Sequence, residues 1–193
     1  MIYLNMSKNH SFGFTLIELL VVITIIGILS NIGLNTFTSA QKKSRDAKRK
    51  AHLKQLKDSF EAFSNDAPNN TYPPDDSDGN LKVCGADFDS TCIWGTDTFE
   101  NETGAIYMIK LPIDPTTGYS YYYSAQSINR TNDAFYLCSR LENTNDPDVP
   151  KDGSEIPLGY VDTDCTTTSC NYCISSTNIA LPATGAEAQG AQL

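Results

Sequence analysis

The chain has 193 residues, a formal net charge of −9, six cysteines and two histidines, a length that predicts one domain with appendages rather than two full domains. Charge is divided along it: residues 42–57 hold eight of the fourteen Lys and Arg, whereas from Asp75 onward 18 acids face 5 bases. The acidic distal part excludes a nucleic-acid surface there, and a head without histidine offers no Ser/His/Asp or Cys/His grouping, so no catalytic residue is assigned.

Residues 1–13, MIYLNMSKNHSFG, place Lys8 and His10 just ahead of an apolar run. Positive charge on that flank is kept in the cytoplasm, which directs the rest outward. From Phe14 to Leu34 the chain would extend about 32 Å as a helix, enough to cross roughly 30 Å of hydrocarbon. One acid, Glu18, interrupts the run. A charge inside a spanning helix is expensive, so this carboxylate requires a partner.

Ala40, Ser44, Ala47 and Ala51, then Leu53, Leu56, Phe60 and Phe63, recur at steps of three and four and predict one helical face. Proline is absent until Pro68, so a single helix from Phe14 to about Asn65 is permitted. Gly27, Ser30, Asn31, Gly33 and Asn35 cluster where the apolar half meets the polar one, and glycine weakens a helix interior. The cluster reads either as close helix packing or as a place where the helix unwinds. A competing parse is an ordinary signal peptide, with Lys8 as its n-region, Ile17–Leu29 as its h-region and cleavage after Thr38-Ser-Ala40. It would yield a secreted or membrane-anchored binding domain, from an h-region that is long and carries Glu18.

DAPNNTYPPDDSDGN at 66–80 ends the helix with breaker residues. Segments 105–112, 118–125 and 133–141 are rich in aromatic and branched residues and predict three antiparallel strands. In the second, Tyr119, Tyr121 and Tyr123 share one face, expected to pack on the helix.

Cys84, Cys92, Cys138, Cys165, Cys170 and Cys173 all lie beyond the apolar segment and read as a disulfide framework in an oxidising, extracytoplasmic space. Proximity favours Cys84 with Cys92, leaving Cys138 to tie the last predicted strand to the 165–173 cluster. Cys170-Asn-Tyr-Cys173 could supply half of a zinc site, but the other half is missing, and no metal is assigned. Asp146, Asp148 and Asp152 concentrate oxygen ligands of the kind calcium takes, although a solvated acidic turn is the preferred reading. LPATG at 181–185 resembles a sortase sorting motif; the apolar span and basic tail that would normally follow are replaced by AEAQGAQL, and chance in a low-complexity tail is preferred.

KNHSFGFTLIELLVVITIIGIL at 8–29 resembles the type IV prepilin signature, a basic leader ending in glycine, then Phe14-Thr-Leu-Ile-Glu18 and a long apolar helix. KLPIDPTTGYSYYYS at 110–124 is similar to the stretch after the helix in major pseudopilins of type II secretion. The resemblance implies an α+β, pilin-like roll, with one long N-terminal helix packed on a small antiparallel sheet and a cysteine-rich C-terminal region. Its boundaries would be a leader at 1–13, a transmembrane or filament-core half-helix at 14–35, and an amphipathic half at 36–66. A disulfide-bonded head would follow at 67–175 and a flexible tail at 176–193. A prepilin peptidase would cut after Gly13 and methylate Phe14. Glu18 would then pair with the Phe14 amine of a neighbouring subunit and set axial register. The implied partners are further copies in a helical filament and an inner-membrane pilus or secretion machinery. The subunit would sit in the cytoplasmic membrane, head outward, before joining an extracellular pilus or a periplasmic pseudopilus. Many pilins carry a helix-breaking proline where this chain has Asn31, Gly33 and Asn35.

Overall fold

The computed structural model describes residues 13–85, 89–165 and 169–186, with the backbone alone at 31–35 and 186. Expectations resting on Lys8 and His10, on the side chains of Asn31, Gly33 and Asn35, and on residues 187–193 lie outside the described residues. The elements are α1 (Leu16–Asp66), a 3-10 turn (Pro68–Asn70), β1 (Lys82–Cys84), β2 (Ser90–Thr91), β3 (Phe99–Glu100), β4 (Ile106–Met108), β5 (Tyr122–Gln126), β6 (Ala134–Ser139), β7 (Leu158–Tyr160), β8 (Tyr172–Ser175) and β9 (Thr184–Ala186). The chain divides into two compact units, residues 1–41 and 42–193.

α1 stops where its sequence requires it to. Pro68 disfavours the helical conformation at the residue before it, and Ala67 accordingly turns extended, at φ −76° and ψ 145°. Within the second unit the helix buries Asp46, Arg49, Leu53, Leu56, Phe60 and Ser64, a line with the three-and-four spacing of one helical face. The predicted apolar half of that line, Leu53 to Phe60, is in place, with Phe63 half-buried at its end. The small residues are not, because Ala40, Ser44, Ala47 and Ala51 are exposed. Stepping back from Leu53 by four and then three reaches Arg49 and Asp46, so a polar pair continues the buried line and the small residues fall on another face.

β5, β6 and β8 form the main sheet, antiparallel throughout, with β6 in the centre. Two of the three predicted strands are therefore neighbours, while the first contributes only β4 and pairs with β3 in a separate hairpin. Pro112 and Pro115 cannot donate to a ladder, and Leu111 instead exchanges backbone bonds with Gly95 and Asp97. The third place is taken by β8, whose Cys173 lies opposite Cys138.

The alternation in β5 divides two cores. Tyr121 and Tyr123 are buried towards α1: the Tyr121 hydroxyl meets His52 Nδ1 at 2.6 Å and the Tyr123 ring lies 4.9 Å from Phe60. Tyr119, on the same side, lies under the Arg49 guanidinium. Tyr122 faces the other way, packing on a small cluster of Tyr160, Cys138, Cys165, Cys170 and Cys173. The turn before β1 fits closely over this strand. Gly79, at φ +89°, accepts the Tyr123 N–H, and a Cβ there would run into the Tyr122 ring.

Arg49 is fully buried and all five of its N–H donors are used. Nε and Nη2 grip Asp114 at 2.8 Å each, Nη1 reaches Asp46 at 2.7 Å and Glu142 at 2.8 Å, and Nη2 also meets Thr116 at 2.8 Å. Arg45 forks onto Glu142 with two bonds of 2.6 Å, and Asp46 accepts the Glu142 and Asn143 N–H groups. Asp114 belongs to the Leu-Pro-Ile-Asp-Pro element at 111–115, which this network fastens to α1.

The structure pairs Cys84 with Cys92, Cys138 with Cys173 and Cys165 with Cys170. With every thiol bonded, the zinc reading of Cys170 and Cys173 falls, since the two belong to different bridges. Part of the segment expected as a flexible tail is ordered: β9 pairs with β7, Gly185 opposite Gly159. Asn178 also donates to the Asp133 carbonyl. Backbone pairing needs no bulky side chain, so a composition of small residues hid it.

The bridges span unequal stretches of chain, and cross-linking a longer loop removes more disorder from the unfolded state. Replacing Cys138 and Cys173 by serine, 35 residues apart, should cost about 4 kcal/mol, against about 2 kcal/mol for Cys165 and Cys170 by the same loop-length relation. Denaturant unfolding of the full chain in detergent measures both. Hydrogen bonds from Arg45, with further help from Arg49 and Thr116, hold the Glu142 carboxyl down to about 2 from its ordinary 4.5. A depressed carboxylate stabilises the fold above its unfolded value and loses that contribution as pH falls through the folded one. Wild type should therefore lose stability between pH 4.5 and about 2, and Glu142→Gln should be less stable at neutral pH with a flatter profile across that window.

Candidate processing and assembly site

Residues 13–15 precede the helix without regular structure, and Gly13 and Phe14 are exposed, Phe14 at 75%. A Cβ at Gly13 would meet nothing within 4 Å.

Glu18 is not the solitary acid that its apolar surroundings suggest. Its Oε2 accepts the Thr15 N–H at 2.8 Å and the Thr15 hydroxyl at 2.6 Å, while Thr15 Oγ1 accepts the Glu18 N–H at 3.3 Å. This is a capping box, in which a threonine before the helix and an acid three residues later satisfy each other's backbone donors. The signal lay in the sequence as T-x-x-E ahead of an apolar run, where the sequence reading considered only an intermolecular partner.

From there the helix is apolar on every side. Leu16, Ile17, Leu19, Leu20, Val21 and Val22 are all exposed, and so are Ile23, Ile25, Ile26, Ile28 and Leu29. Its hydroxyls are satisfied internally, Thr24 bonding the Val21 carbonyl and Ser30 that of Ile26, which suits surroundings without water. Among the described residues no helix is long and apolar enough to cross a membrane. The stretch from Leu16 to Ser30 covers about 22 Å at 1.5 Å per residue, and the predicted span to Leu34 continues into residues whose side chains lie outside the description.

The acids considered for calcium are engaged elsewhere. Asp146 and Asp148 each accept from Lys50 Nζ at 2.6 Å, and Asp152 accepts the Ser154 and Ile156 N–H groups. Among the described residues no three His, Cys, Asp or Glu side chains are grouped to hold a metal ion. LPATG runs into β9, with Thr184 and Gly185 in its ladder. Three acids that the sequence does not single out, the buried Asp46 and Asp114 and the half-buried Glu142, surround Arg49.

Residues 8–30 match a family model described as the prokaryotic N-terminal methylation motif. The chain is also 43% identical over 51 residues to the type IV major pilin protein PilA of Myxococcus xanthus (strain DK1622), a stretch that makes up 26% of this chain and 23% of that protein. The chain thus spans about a quarter of the length of the curated relative it matches. No solved structure matches it. Beside the similarity to a type IV major pilin, the matched methylation motif thus falls in the N-terminal region, where the structure shows a capped helix start.

Proposed function

We propose that this chain is a structural subunit of a type IV pilus or a type II secretion pseudopilus, cut after Gly13 by a prepilin peptidase, methylated at Phe14 and polymerised through its N-terminal helix. The observation that carries the reading is the helix start. An accessible Gly13-Phe14 bond stands directly before a capped helix whose large aliphatic side chains are exposed all round. A helix apolar on every face belongs in lipid or among other helices, and burial of each such side chain is worth about 1.5–3 kcal/mol. The cytoplasmic membrane supplies the first environment and neighbouring copies, brought together by an inner-membrane assembly machinery, supply the second. The head faces outward, where three disulfides form and persist.

In the filament the Glu18 carboxylate pairs with the methylated Phe14 amine of the next copy. At any other offset the carboxylate keeps only its Thr15 donors and the buried amine is left without an acid, so the offset that joins acid to amine is favoured. The signal-peptide alternative is disfavoured by α1, which runs unbroken through Thr38–Gln41 and offers a peptidase no extended segment there.

Native protein should begin at Phe14 and carry the extra mass of one methyl group, read by N-terminal sequencing with intact-mass measurement; a start at Gln41 overturns the reading. Glu18→Ala should leave cleavage and membrane insertion intact while lowering the sheared-filament yield severalfold in fractionated cells. A wild-type yield would show that the carboxylate is dispensable for docking.

A further inference from the structure

Two depressions on the unit formed by residues 42–193 have apolar floors and rims of opposite charge. One, a groove of about 420 Å³, is floored by Ala51, Tyr172 and Ile174 and rimmed by Lys50, Lys54 and Lys57. Lys50 is held by Asp146 and Asp148, and Lys57 by the Ser175 carbonyl. Lys54 is exposed and makes no hydrogen bond or ion pair among the described residues. The other, a pocket of about 490 Å³ at the end of α1, carries Asp66, Glu100 and Glu102 around Phe63 and Tyr72, and no Lys or Arg lines it.

The acidic rim includes the connection between β3 and β4, exposed at Glu102, Thr103 and Gly104. Its shape is fixed from within: Asn101 Oδ1 accepts the Thr103 N–H, the Thr103 hydroxyl and the Ala105 N–H, and Asn101 Nδ2 donates to the Tyr107 hydroxyl. Glu102 is exposed on this braced tip, and Ile106 beside it is 58% exposed. A tip ordered before contact loses little freedom on docking. Along α1, Lys54 and Asp66 are separated by about 18 Å at 1.5 Å per residue, so groove and tip are distinct patches.

We propose that the acidic β3–β4 tip of one copy, with Glu102 leading and Ile106 beside it, docks in the lysine-rimmed groove at Lys54, Tyr172 and Ile174 of the next copy. The proposal rests on the subunit reading and adds a head-to-head contact to it. Acid meets base at the rim and isoleucine meets the aromatic floor. Because the two patches differ, the contact is heterologous: each copy offers a free tip and a free groove, and the series continues as an open filament instead of closing as a twofold dimer. Charge complementarity of this kind fixes register and excludes wrong offsets more than it adds affinity.

The test is a charge exchange in the full chain, with Lys54→Glu, Glu102→Lys and the double variant made in cells beside wild type. Each is fractionated into membrane and sheared-filament pools. Either single reversal should lower the filament yield severalfold, and the double, which restores opposite charges across the contact, should return it to near wild type. A Phe14 start and fully oxidised cysteines in the membrane pool check that each variant is processed and folded. A double variant no better than the worse single, or a single variant at wild-type yield, overturns the proposal while leaving the subunit reading intact. Wild type that yields no filaments overturns both.

Discussion

A single buried cation organises the head. Arg49 lies within the helix line that also carries Leu53, Leu56 and Phe60, and its five donors reach the 111–116 element and Glu142 as well as its own helix. Such a group tolerates little rearrangement, because displacing any partner leaves charge stranded away from water. Hydrophobic residues of equal volume could stabilise the interior as well or better, but they would not specify which loop lies against which turn of helix. The guanidinium fork does, since it needs a carboxylate in plane at Asp114 and another beside it.

Next to this polar junction the interior becomes aromatic. His52 meets Tyr121, Tyr121 meets Trp94, and Phe60 touches Phe99, Tyr123 and Phe135 with ring centroids 4.9–5.5 Å apart. Edge-on and tilted rings dominate, as the ring quadrupole favours. Beyond β5 the character changes again, to a small cluster in which four of the five buried residues are bonded cysteines. That part of the head has little apolar surface of its own to bury, and covalent links take over what packing does elsewhere.

The sequence was informative where periodicity and side-chain type agreed. Leu53, Leu56 and Phe60 repeat at helical spacing, Tyr121 and Tyr123 alternate as a strand does, and Cys84 lies close to Cys92; all three are seen in the structure. It misled where they disagreed. Asp46 and Arg49 occupy core positions by spacing but are charged, and a reading guided by polarity assigned that line to small residues instead. The apolar run around Glu18 points to a distant partner, whereas Thr15, three residues before it, is the better guide. β8 and β9 are not legible because what defines them is a partner 24 to 39 positions away, as Ser175 opposite Tyr136 illustrates at the far end, and neither segment has an apolar alternation of its own. The N-terminal signature spoke most clearly, since its order of glycine, phenylalanine, acid and apolar run depends on no distant contact.

On the proposed subunit reading, the Thr15–Glu18 box bears on how a filament of such subunits would come apart. An acid with no local partner would be trapped once docked, because leaving its neighbour would strand it. Here the carboxylate already has two donors in the separate chain, so joining a neighbouring amine as proposed would be an exchange of partners, and release would return Glu18 to Thr15. The strength of the junction is then only the difference between two satisfied states. A polymer joined by such differences can be tight through its many contacts and still shed a subunit from its end without leaving that subunit damaged or stranded.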